Sequence, residues 1–223
     1  MIKNRLNEIE GKIKKAMSAA GRADIVNLMA VTKTRTAEEV NEAIAAGITL
    51  LGENRVQEFL SRVEQYNLAG VKIHFIGHLQ TNKVKQIIEK VDMIESVDSI
   101  RLAEEINRQA ENHGKIMEIL LEVNIGREKS KNGFMPEEVE KSLETIEKMQ
   151  NLRVRGLMCI PPVEKVCEFF QKMQGLFVDI KGKNVDNSNM SILSMGMSDD
   201  FEQAISFGTN IIRLGTAVFG NRN

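Results

Sequence analysis

Short, near-continuous apolar runs recur along the chain, separated by segments that carry the helical period. Eight such runs are present: Ile25 to Val31, Ile48 to Gly52, Ile73 to Gly77, Met93 to Val97, Ile119 to Val123, Val154 to Cys159, Ser191 to Met195 and Ile211 to Leu214. Strands covered by helices on both faces of a parallel sheet lose the polar alternation of half-exposed strands and read this way. Between them, Leu6, Ile9, Ile13 and Met17 form one helical stripe. Val56, Phe59, Leu60 and Val63 form another, and Val84, Ile87, Ile88 and Val91 a third, all with the i, i+3, i+4, i+7 spacing of an amphipathic helix.

Start signals agree with this division. Thr36 with Glu39 reads as a capping box opening the helix after the first strand. Pro136 suits the first position of the helix carrying Val139, Leu143 and Ile146, because its missing N–H has no partner there in any case. A further stripe runs through Val163, Val166, Cys167, Phe170, Met173 and Phe177.

A leading helix followed by eight strand–helix units, at about 28 residues per unit, predicts an α/β fold: a single (β/α)8 TIM-type barrel with an extra N-terminal helix. The whole of residues 1–223 is expected to form one domain. The rival is a doubly wound open sheet, which favours a glycine-rich turn after its first strand. Val31-Thr32-Lys33-Thr34 has no glycine, so the barrel is the better fit.

Charge narrows the partners. With 30 basic and 31 acidic side chains the formal charge is −1, which argues against a nucleic-acid surface. No run approaches the length of a membrane span. Met1 to Lys15 is amphipathic and charged rather than signal-like, so a cytoplasmic location is expected. Cys159 and Cys167 match no redox or zinc spacing and are expected to be buried thiols.

In a barrel, chemistry belongs to the carboxyl ends of the strands. That places Lys33, Asn54, His78, Glu95, Asn124, Ser194, Arg213, Gly215 and Thr216 at or near the mouth. Barrels often bind phosphate through the loops after strands seven and eight. Gly215 to Gly220 suits such a turn, with the hydroxyls of Ser194 and Thr216 as donors. Lys33 follows the apolar run Leu28 to Val31, and contact with the barrel core would disfavour its charged form and free the amine to attack a carbonyl. The bland alternative is a lysine that snorkels from a strand end. A lysine on one side of the mouth and a phosphate turn on the other meet the needs of pyridoxal 5′-phosphate, with Arg213 facing the pyridine nitrogen.

Several stretches then resemble the pyridoxal phosphate homeostasis protein family, single-domain relatives of the amino-terminal barrel of alanine racemase. They are Ala30 to Thr34, Gly52 to Glu58, His74 to Lys83, Val123 to Ile125, Gly156 to Met158, Leu193 to Asp200 and Arg213 to Thr216, and the likeness spans nearly the whole chain. It implies that Lys33 forms the Schiff base, that Ser194, Gly215 and Thr216 hold the phosphate, that Arg213 meets the pyridine nitrogen, and that Asn54 belongs to the pocket. The family's loop after strand six commonly has a Met-Ala-Pro-like run, whereas this chain has Met158-Cys159-Ile160-Pro161-Pro162.

The resemblance also implies holding or delivering the cofactor within vitamin B6 balance, without established turnover, with apo-enzymes as recipients. Racemisation needs two positioned acid–base groups. Tyr66 is the only tyrosine, and the chain after Thr216 leaves no room for the second domain that a racemase uses. A racemase and a Schiff-base aldolase remain the enzymatic alternatives, and a phosphate-ligand sensor a third reading. No residue is expected to bind metal, since His74 and His78 lie on a strand and lack the glutamate of the helical zinc motif. Lys129 and Lys131 read as a solvated charged loop, and Glu95 as a satisfied carboxylate at the barrel rim.

Overall fold

The computed structural model describes residues 1–183 and 189–221. Eight parallel strands close a barrel in sequence order. They are β1 (Asn27–Val31), β2 (Leu50–Glu53), β3 (Lys72–Phe75), β4 (Met93–Val97), β5 (Met117–Glu122), β6 (Leu152–Met158), β7 (Ile192–Ser194) and β8 (Ile211–Leu214). Closure comes from β1, which pairs with β2 on one side and β8 on the other, in a register that sets Met29 beside Arg213.

The helices are α1 (Ile2–Ala19), α2 (Ala37–Ala45), α3 (Val56–Leu60), α4 (Val84–Ile87), α5 (Ile100–Asn112), α6 (Val139–Ile146), α7 (Val166–Lys181), α8 (Phe201–Ser206) and α9 (Thr216–Phe219). The leading helix α1 lays Ile2, Leu6, Ile9 and Ile13 into the outer core. The expected capping box opens α2: Thr36 accepts from the Glu39 amide while the Glu39 carboxylate accepts from the Thr36 amide. The stripe from Val56 to Val63 breaks into α3 and a 3-10 turn over Val63–Gln65. Pro136 opens a 3-10 turn that leads into α6.

The period of two along each strand divides the side chains between two cores. Ala30, Leu51, Phe75, Ile94, Leu121, Leu193 and Leu214 point outward and pack with the helices. Met29, Val31, Leu50, Ile76 and Ile211 point inward and fill the barrel, as do Met93, Leu120 and Met158. By the same alternation His74, Glu95, Ser194 and Arg213 are interior residues, and all four are buried. The barrel interior thus contains a polar row among its methionines and branched aliphatics.

Candidate functional site

A cavity of about 220 Å³ opens at the carboxyl ends of the strands, bordered by Lys33, Asn54, Ser198, Arg213, Gly215 and Thr216. Five of the six residues anticipated from sequence therefore meet around one space. The sixth, Ser194, does not border it.

Thr32 fixes the end of β1 by donating both its amide and its hydroxyl to the Gly52 carbonyl, at 3.1 and 3.2 Å. Lys33 follows it and is exposed at the mouth. This differs from the expected position against the barrel core: Val31 is the last core residue of β1, and the next turn lifts Lys33 out of it. Among the described residues no carboxylate forms an ion pair with its ammonium. Thr34 then takes φ +64°, and its amide donates to the Glu58 carboxylate.

Asn54 enters the cavity just beyond β2. A Cβ on Gly77 would stand 2.0 Å from the Asn54 carbonyl oxygen, so a side chain at position 77 is sterically excluded by the Asn54 backbone. The Asn54 Oδ1 atom is buried without a hydrogen-bond partner, an acceptor that a ligand's donor would satisfy.

Two turns meet at the cavity. Gly196, at φ +93°, turns the chain after β7 where a Cβ would meet Ala204 at 2.6 Å. The Met197 amide donates to Asp200 Oδ1 at 2.6 Å and closes this turn. After β8, Gly215 leads into α9, and the Ala217 amide donates to Ser198 Oγ at 3.3 Å, joining the two turns. Ser198 accepts in that bond and keeps its own O–H free to donate towards the cavity. Ser198, in the same Leu193 to Asp200 stretch, was not singled out from sequence; the available signal was Gly196, which turns the chain just after β7 and places a hydroxyl further along at the cavity.

Ser194 occupies the cavity's underside. Its hydroxyl donates to Glu95 Oε2 at 2.6 Å and accepts from Arg213 Nη1 at 2.7 Å. The reading of Ser194 as a phosphate donor is corrected on that ground: its side chain is fully buried and its proton is taken by Glu95. Arg213 is held a second time, since Nη2 donates to the Cys159 carbonyl at 2.8 Å. Glu95 lies in the barrel interior, not at its rim. Burial pushes its carboxyl up, but His74, Arg213 and Ser194 outweigh that and hold it below the usual range.

Other candidates lie apart. Tyr66 is buried outside the barrel and donates to Glu53 Oε1 at 3.0 Å, and burial, with Glu53 beside it, pushes its phenol well above the usual range. Cys159 is buried, and burial pushes its thiol up to about 12. Cys167, expected to be buried, is exposed at the start of α7, off the face that buries Phe170 and Met173. His78 is exposed and borders an adjoining cavity of about 560 Å³ with Arg55 and Lys83; that larger space lacks both the strand-one lysine and the paired turns. Lys131 pairs with Glu128 at 2.5 Å, and Lys129 is exposed. Among the described residues no three metal-ligating side chains cluster, and no helix is long and apolar enough to cross a membrane.

Comparison with known proteins gives this geometry a family. The model for the alanine racemase N-terminal domain matches residues 5–223. The chain is 40% identical to the pyridoxal phosphate homeostasis protein of Aquifex aeolicus, over 98% of this chain and 97% of that one. Two structures of PipY from Synechococcus elongatus superpose closely. The form without pyridoxal phosphate has a TM-score of 0.88 at 32% identity, covering 99% of this chain and 100% of that one. The form with pyridoxal phosphate bound has a TM-score of 0.86 at 31% identity, again covering 99% and 100%. The barrel, the strand-one lysine and the paired turns after β7 and β8 are thus features of a chain that belongs to the alanine racemase N-terminal domain family, among the pyridoxal phosphate homeostasis proteins.

Proposed function

We propose that this chain is a pyridoxal 5′-phosphate-binding protein of vitamin B6 homeostasis, a single-domain cytoplasmic barrel that holds the cofactor as a Schiff base on Lys33 and does not turn over substrate. The observation that carries the reading is the convergence of an exposed lysine, an anchored arginine and two adjoining turns on one cavity. The close relationship to homeostasis proteins and to PipY, whose structure holds pyridoxal phosphate, supports it.

The residues present fit the cofactor. Its phosphate suits the Ser198 hydroxyl and the Gly215–Thr216 turn, where amides at the start of α9 lack intrahelical acceptors. Its ring nitrogen suits Arg213, which presents guanidinium donors beyond the two bound below. The buried, unpartnered Asn54 amide oxygen suits a donor on the ligand. Bound there, the cofactor supplies an aldehyde that condenses reversibly with amines and an electron-accepting ring.

Lys33 provides the amine, and its exposure leaves that linkage open to water or to an incoming amine. A guanidinium donates hydrogen bonds and accepts none, so Arg213 would donate to the ring nitrogen without protonating it and leave the electron sink weak. Tyr66, the sole tyrosine, is committed to Glu53 and stands away from the cavity, so it cannot serve as the second base of a racemase. Holding the cofactor and releasing it to apo-enzymes suits this arrangement better than catalysis does.

The test is a titration of the purified protein with pyridoxal phosphate, followed by visible absorbance and by removal of free cofactor. Wild type is expected to retain a yellow, protein-bound species and Lys33→Ala to retain none. An unchanged visible band in Lys33→Ala would overturn the assignment of Lys33.

A further inference from the structure

Four interior side chains from four strands form one continuous row. His74 Nδ1 of β3 lies 2.6 Å from Glu95 Oε1 of β4. Glu95 Oε2 accepts the Ser194 hydroxyl of β7 at 2.6 Å, and Ser194 Oγ accepts from Arg213 Nη1 of β8 at 2.7 Å. Their exposures are 5%, 0%, 0% and 4%. At one end Arg213 borders the cavity at the mouth; at the other His74 borders a separate cavity of about 370 Å³ lined also by Asp92, Met93 and Arg155. The row therefore crosses the barrel from floor to mouth.

Placing a charged carboxylate and a guanidinium inside a barrel is costly, and apolar residues of similar volume would fill the same space. Burying them through a serine gives a particular outcome. Ser194 takes one Nη1 hydrogen and the Cys159 carbonyl takes one from Nη2, so two bonds fix the guanidinium plane of a residue that borders the cavity. The Glu95 charge reaches Arg213 through the polarised hydroxyl and offsets part of the guanidinium's positive field.

We infer that Glu95, oriented by His74, is a positioning residue for the cofactor ring: through Ser194 it fixes the Arg213 guanidinium and tempers the positive charge that guanidinium presents to the ring nitrogen. This rests on the reading of the mouth cavity as a pyridoxal phosphate site. Glu122 of β5 and Asp200 of the turn after β7 also act on Arg213 through space, and Asp98 acts on Glu122. Of these carboxylates, Glu95 is the one joined to Arg213 by hydrogen bonds through a shared hydroxyl.

The test compares wild type with Glu95→Gln, which keeps shape and one acceptor oxygen but removes the charge. With cofactor bound, the pH midpoint of the visible absorbance should fall by about one unit in Glu95→Gln, because a less compensated Arg213 disfavours the protonated imine. In an Arg213→Gln background the same Glu95 substitution should shift the midpoint by less than about a third as much, as expected of residues acting as a unit. An unshifted midpoint, or an equal shift without Arg213, would overturn the inference.

A second arm needs no cofactor and no tolerance of the Glu95 change. In wild-type protein, nitrogen-resolved NMR of the Arg213 side chain should show separate, slowly rotating Nη–H signals, and Ser194→Ala should average them. Averaged signals in wild type would overturn the inference, whereas failure of wild type to bind pyridoxal phosphate would overturn the underlying reading and leave this arm to judge the relay.

Discussion

Ser194 Oγ donates to Glu95 Oε2 at 2.6 Å, across the barrel interior from β7 to β4. The hydroxyl also serves Arg213, so its removal leaves two buried charged groups each short of a partner. Ser194→Ala is expected to cost about 2 kcal/mol of stability, read from urea unfolding. Stability unchanged alongside loss of phosphate affinity would return Ser194 to the ligand site.

Ser198 and Thr216 carry the complementary expectation. Ser198 is half-buried and Thr216 exposed, and both border the cavity. Ser198→Ala and Thr216→Val should each weaken pyridoxal phosphate binding about tenfold, the loss of one hydrogen bond to a charged group. Stability should change by less than about 0.5 kcal/mol. Equilibrium dialysis and thermal unfolding separate the two effects.

Gly77 abuts the Asn54 carbonyl oxygen, which a Cβ would approach to 2.0 Å. Backbone rather than a flexible side chain is in the way, so Gly77→Ala should cost about 3 kcal/mol and displace Asn54 from the cavity. Denaturant unfolding and cofactor affinity should both register the change; a variant with wild-type stability would show that the β2 and β3 ends are not packed as described.

Glu122 gives a pH signature. Burial pushes its carboxyl up to about 7, with Asp98 adding to the rise and Arg213 opposing it. A raised value means that the folded state holds the proton more tightly than the unfolded chain. The resulting stability is fully present below the ordinary glutamate value of 4.5 and is lost as pH rises through about 7. Glu122→Gln removes this dependence. Between about pH 5 and about pH 8 the variant should gain about 2 kcal/mol relative to wild type, measured by unfolding at both values; a constant difference would contradict the assignment.

Much of this was legible in the sequence because the barrel writes itself locally. Buried parallel strands appear as apolar runs, and the β8 run coincides with the observed strand from Ile211 to Leu214. Lys33, Gly215 and Thr216 could be placed because each follows such a run closely, and Arg213 because it is the one charged residue within the last. Strand limits were less visible: β1 begins at Asn27, and Ile25, counted in the run, is exposed. The role of Ser194 was hidden for a different reason. Its neighbours Glu95 and Arg213 are distant in sequence and meet it only through inward register across the closed barrel. Local pattern assigns a residue to a strand end; it does not say whether the side chain points into the cavity or beneath it.

The account turns on the amine of Lys33, and covalent trapping addresses it directly. Protein loaded with pyridoxal phosphate, reduced with borohydride and digested should carry the cofactor-derived mass on the peptide containing Lys33 and on no other. Labelling spread over surface lysines, or concentrated on Lys129 or Lys131, would contradict it.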